Sequence, residues 1–138
     1  LIGPLATVRY AIEHFATSGR RDVVLIGSSA CLTPMPGLGI YSASKRGLQA
    51  AFDSMRLELA HLGINVSHVV PGMFITEGLI EKVPVDGDKP QTDAAVFVDG
   101  GRPAPVEGLV DTITFLLGLP DGVAVNEIVV RPTGQLRT

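Results

Sequence analysis

Apolar positions recur at helical spacing in three stretches of the chain and run together in three others. Val8, Ile12 and Phe15 fall three and four apart between Arg9 and Glu13, predicting a helix over residues 6–16, with Pro4 suited to a first turn and Gly19 to an exit. Residues 22–27 form a short β-branched run bounded by charge and glycine, the pattern of a strand buried on both faces. Between Tyr41 and Leu62, Leu48, Ala51, Phe52, Met55, Leu59 and Leu62 mark the longest helix, which Gly63 ends. Residues 64–70 read as a second strand, halted by Pro71-Gly72. Residues 73–105 are irregular and rich in Pro and Gly, with one turn of helix expected at 78–82. A third helix is predicted at 106–117 and a third strand at 123–130, ending at Arg131-Pro132.

Strands alternating with helices imply parallel pairing through right-handed crossovers, hence an α/β fold with a doubly wound sheet. Three strands are few for such a sheet, which usually holds four to six. The expectation is therefore that residues 1–138 are the C-terminal portion of one Rossmann-type domain, its N-terminal strands missing from this chain or carried by a separate one. The segment around 73–105 has the length of a functional loop.

Composition narrows the class. Charged residues make up 18% and hydrophobic ones 46%, so the chain can bury a core and is not disordered by composition. A net charge of −3 with no basic stripe excludes a nucleic-acid ligand, since Arg20-Arg21 and Lys45-Arg46 stand apart. Apolar runs such as Val23–Ile26 fall far below the ~18 residues of a membrane span. A single cysteine, Cys31, permits no intrachain disulfide, and no residues have metal-ligand spacing. The N-terminus lacks the layout of a secretory signal, so a cytoplasmic protein is expected.

The sharpest chemical feature is Tyr41-Ser-Ala-Ser-Lys45 at the start of the long helix. Four residues span about 6 Å of rise, one turn, which puts Tyr41 and Lys45 on one face. A free phenol, with a pKa near 10, is a poor proton carrier at neutral pH, and a nearby cation stabilises its phenolate. Such a pair also arises on solvated faces by chance. Ser28 follows the first strand, at the sheet edge where doubly wound folds bind ligands, although one serine there reads equally as a turn cap.

Taken together, Gly27-Ser28-Ser29-Ala30, Pro34, Pro36-Gly37, Tyr41-Ser-Ala-Ser-Lys45, Leu57-Glu-Leu59, Gly63-Ile-Asn-Val66 and Pro71-Gly72-Met-Phe-Ile-Thr76 resemble the short-chain dehydrogenase/reductase family over nearly the whole chain. The resemblance implies a Rossmann sheet that binds NAD or NADP and an oxidoreductase transferring hydride between that cofactor and an alcohol or carbonyl substrate. It implies Tyr41 as general acid/base and Ser28 as the hydroxyl orienting the carbonyl. Lys45 would tune the tyrosine and hold the nicotinamide ribose, so Tyr41 and Lys45 both border the cofactor. Pro71, Gly72 and Thr76 resemble the segment embracing the nicotinamide carboxamide and adjoining phosphate. No metal is implied. The loop 77–102 corresponds to the family's substrate lid, with Met73, Phe74, Ile75, Leu79 and Ile80 suited to an apolar wall.

Two family features are absent from the sequence: the glycine-rich phosphate turn and the residue that selects NAD against NADP. The family's catalytic-helix asparagine would fall just before Leu1, so the isolated chain is expected to be inactive and to need the N-terminal half of its domain. Position 27 is Gly where the family often has Ser, and the ending at residues 126–134 resembles a subset of these reductases. In the family, the helix ahead of Ser28 and the Tyr41 helix commonly form a bundle between subunits. A homodimer or homotetramer is therefore expected, with Ala50, Ala51, Phe52 and Met55 as outer positions. His14, His61 and His68 read as unremarkable, as does Cys31. The competing reading is a non-catalytic nucleotide-binding or scaffolding relative that keeps the fold.

Overall fold

A computed structural model describes residues 1–15, 19–33, 36–76 and 103–135, together with the backbone of 85–86 and 89–90. Helix α1 spans Ile2–Ile12, strand β1 Asp22–Ile26, helix α2 Gly39–Leu59 and strand β2 Asn65–Pro71. Short strands follow at Phe74–Ile75 (β3), Val85–Asp86 (β4), Lys89–Pro90 (β5) and Ala104–Pro105 (β6), then helix α3 at Glu107–Leu117 and strand β7 at Glu127–Val130. A single-turn 3-10 helix at Ser29–Cys31 joins β1 to the approach of α2.

The main sheet has the order β1-β2-β7 and is wholly parallel, with Ile26 level with Val69 and Val69 level with Ile128. Adjacent β2 residues Val69 and Val70 point to opposite faces, and both are fully buried, so the central strand is covered on both sides. On one face Leu48, Phe52 and Leu59 of α2 meet Val8 of α1, Val23 and Leu25 of β1, and Ile64 and Val66 at β2. Each such side chain contributes roughly 1.5–3 kcal/mol by leaving water. Helix α3 packs on β2 and buries Leu116.

Two devices fix how the helices enter and leave the sheet. Gly63 adopts φ +66°, the left-handed region glycine occupies without strain, and turns the chain from α2 into β2. Arg20, ahead of β1, pairs with Asp22 at 2.8 Å. Its guanidinium also donates to the carbonyls of Leu116, Leu119, Pro120 and Val123, tying the end of α3 to the start of β1.

Several sequence expectations shift. Helix α1 begins four residues earlier than its apolar spacing suggested, with Pro4 inside the first turn, where a missing N–H costs nothing. Residues 123–126 lie outside the ladder: Val123 is held by the Pro120 carbonyl and by Arg20, and pairing begins where His68 N–H reaches the Asn126 carbonyl. Strand β1 is less completely covered on its second face, where Asp22 and Val24 are half-buried and Ile26 is 40% exposed. Phe52 is 3% exposed and Met55 packs against the core, so neither is an outer position for a subunit interface. The helical turn predicted at 78–82, with Leu79 and Ile80, lies outside the described residues, as does Pro34.

Candidate active site

Parallel strands end together, so the carboxyl edge of the sheet gathers the segments that follow β1 and β2. Continuing the register past Ile26 and Val69 brings Ser28 level with Pro71. Helix α2 passes over this edge, and the ammonium of Lys45 lies 3.5 Å from the carbonyl oxygen of Ile26, two residues before Ser28. One turn back, the Tyr41 ring centre is 5.8 Å from Lys45 Nζ. The helix thus carries the Tyr41–Lys45 pair to the end of β1. Tyr41 is 43% exposed, open to a ligand rather than packed in the core.

Ser28 is extended in backbone and caps the 3-10 turn, its Oγ accepting from Ala30 N–H at 3.2 Å. A hydroxyl that accepts one bond keeps its proton and a second lone pair for other partners. Behind the turn, between Ala30–Leu32 and the first turns of α2, lies a cavity of about 420 Å³ bordered by Ser42 and Arg46. Cys31 is buried at its side, and burial pushes its thiol above the ordinary cysteine range.

At the end of β2, Pro71 pairs with Val130 and Gly72 N–H donates to the Val130 carbonyl at 2.7 Å. Gln135 Oε1 accepts from Met73 N–H at 2.9 Å and occupies the space a Cβ on Gly72 would need. Glycine is required there by close approach, not by backbone angle. Thr76 follows β3 and is exposed.

Beneath these residues runs a polar chain absent from the sequence reading. His68, 4% exposed on the central strand, has Nδ1 3.1 Å from Glu127 Oε2. The same oxygen accepts from Gln49 Nε2 at 2.6 Å, and Arg46 donates to Gln49 Oε1 at 3.0 Å and to the Cys31 carbonyl at 3.4 Å. The available signal was a histidine flanked by Val69-Val70 within a predicted buried strand, which must find a partner when buried. Gln135 had no comparable signal. Among the described residues no group of three or more His, Cys, Asp and Glu is placed to hold a metal ion, and no helix is long and apolar enough to cross a membrane.

Residues 1–84 match the family model for short chain dehydrogenase. Among curated proteins, the chain is 33% identical to glycine betaine reductase of Emericella nidulans, covering 96% of this chain and 10% of that protein. It is 34% identical to sulfoacetaldehyde reductase 2 of Chromohalobacter salexigens, covering 86% of this chain and 46% of that protein. Among solved structures, 4-hydroxyisoleucine dehydrogenase complexed with NADH superposes with a TM-score of 0.71 at 20% identity, over 96% of this chain and 54% of that one. ElxO with NADP bound gives a TM-score of 0.76 at 19% identity, over 95% and 53%. At these identities the likeness shows the fold: a portion of a Rossmann-type α/β domain, with this chain spanning about half the length of those two structures.

Proposed function

Since this chain belongs to the short-chain dehydrogenase family, we propose that the protein carrying it is an NAD(P)-dependent oxidoreductase acting on an alcohol or carbonyl compound, with its proton chemistry at Tyr41. One observation supports the reading: Lys45 Nζ stands 5.8 Å from the Tyr41 ring centre and 3.5 Å from the carbonyl of Ile26, two residues before Ser28, at the carboxyl edge of the sheet.

The residues present fit a nicotinamide dinucleotide. Lys45 offers donors suited to ribose hydroxyls, and the half-buried Pro71–Gly72 segment and the exposed Thr76 follow β2 at the same sheet edge. When bound, NAD or NADP supplies or accepts the hydride. Tyr41 gives its phenolic proton to the substrate oxygen during reduction and takes it back during oxidation. The Lys45 ammonium stabilises the negative charge left on the phenol oxygen by Coulomb attraction. Ser28 donates to the same substrate oxygen and fixes its orientation. In this reading the phosphate-binding turn, which these 138 residues lack, belongs to the rest of the domain.

Replacing Tyr41 by Phe in the full-length protein tests this. Reduction of a panel of small aldehydes and ketones should fall by ~10²–10⁴-fold, the ordinary worth of a positioned acid/base group. An unchanged rate would remove Tyr41 from the chemistry.

A further inference from the structure

The imidazole of His68 and the missing side chain of Gly27 occupy one space. A Cβ built on Gly27 would overlap His68 Nε2 and approach both ring carbons next to it at 3.1 Å. Nε2 is buried and has no hydrogen-bond partner among the described residues. A carboxylate oxygen accepts and does not donate, so the contact to Glu127 Oε2 assigns the proton to Nδ1. The unsatisfied nitrogen is pressed against the Gly27 backbone, an arrangement that carries a free-energy cost. A polar ring would not be held in that position without an opposing gain. Glu127 and Gln49 fix its other side, and through Arg46 the same chain of bonds reaches the Cys31 carbonyl at the far end of the turn.

The peptide under that ring joins the two residues whose groups the site depends on. The Ile26 carbonyl, which holds Lys45, precedes Gly27, and Ser28 follows it. A shift of the chain at Gly27 would move the anchor of Lys45 and the hydroxyl of Ser28 together. On the opposite face Ile26 is 40% exposed, so the ring supplies packing to this stretch from the buried side.

We infer that His68 is a positioning residue: clamped by Glu127 and Gln49, it presses on Gly27 and sets the path of the Ile26–Ser28 segment, and with it the placement of Lys45 and Ser28. The inference rests on the oxidoreductase reading, because a path matters to turnover only if those two residues serve the reaction. It assigns this chain's glycine at position 27 a cause, namely that a side chain there and an imidazole at 68 exclude each other.

Three variants of the full-length protein test it: Gly27→Ala, His68→Ala and the two combined, each assayed for kcat and KM on the most active aldehyde or ketone of the panel, well below its melting temperature. His68→Ala should lower kcat by ~10–100-fold, the cost of misplacing reacting groups by about an ångström, with KM little changed. Gly27→Ala should depress kcat and melting temperature strongly while His68 is present, and change neither appreciably once His68 is Ala. A merely structural histidine would lower the melting temperature and leave kcat per folded molecule intact. Wild-type kcat in His68→Ala, or equal damage by Gly27→Ala in both backgrounds, overturns the inference. Should Gly27→Ala fail to fold, comparing the double variant with His68→Ala still decides, since it lacks the overlap and a further fall in kcat there would count against the clamp. Tyr41→Phe, run alongside, separates the two ideas: if it retains full rate the oxidoreductase reading fails, whereas coupling of positions 27 and 68 is read independently in the melting temperatures.

Discussion

Cys31 ends the 3-10 turn, buried and bonded through its carbonyl to Arg46 of α2. Burial holds its thiol above the ordinary range, so the folded protein keeps the proton where an unfolded chain, ionising near pH ~8.5, releases it. The sign follows from that difference. Below the unfolded value both states are protonated and the group has no effect on stability with pH; above it the unfolded state binds fewer protons, and stability falls as pH rises. Alkylation of Cys31 by iodoacetamide should accordingly be much slower in the folded protein than in urea at pH 8, and a rate equal to that of a free thiol would contradict the assignment. Residue by residue, helical spacing puts Tyr41 and Lys45 on one face and Ser28 at a strand end, while their roles come from the resemblance to the family rather than from the spacing. The sequence did not declare Glu127, Gln49 or His68, since their partnership forms between residues 59 and 78 positions apart, and nothing local encodes it.

Among the elements, legibility followed local apolar periodicity. Helix α2 and strand β2 were located within a few residues, and so were edge strand β1 and helix α3, which buries Leu116. Strand β7 was overextended because Val123 and Val125 alternate like ladder residues, yet the segment is held instead by the turn at Pro120 and by Arg20. That arginine closes the carboxyl end of α3, whose last carbonyls have no helical partners, and its charge is largely withdrawn from solvent beside Asp22. Hydrogen bonds from a charged donor are worth roughly 1.5–3 kcal/mol. Arg20→Ala in the full-length protein should lower unfolding free energy by about 2–4 kcal/mol, seen as a drop in urea midpoint at constant m-value. A change under about 0.5 kcal/mol would mean that the clasp is dispensable.

At the scale of the molecule, the described sheet has one edge that its own composition does not suit. Val23, Val24, Leu25 and Ile26 border a groove with Pro4, Thr7 and Phe52, and β1 offers that groove a row of backbone groups with no strand beside them among the described residues. An apolar parallel edge is a pairing surface, and long exposed ones invite aggregation. The neighbours of known fold are about twice as long, and in a portion of such a domain an edge of this kind is open to a further strand. The phosphates of a dinucleotide need a glycine-rich turn at a helix N-terminus, and the 138 residues contain none after a strand. Residues 1–138 alone should therefore bind NADPH weakly in a calorimetric titration, with no saturation at micromolar cofactor, while the full-length protein saturates. A Kd tighter than ~1 µM for the 138-residue chain, about −8.2 kcal/mol, would mean that Lys45 and the Pro71–Thr76 segment hold the cofactor without the phosphate turn, and would move the recognition from the dinucleotide's phosphates to its nicotinamide end.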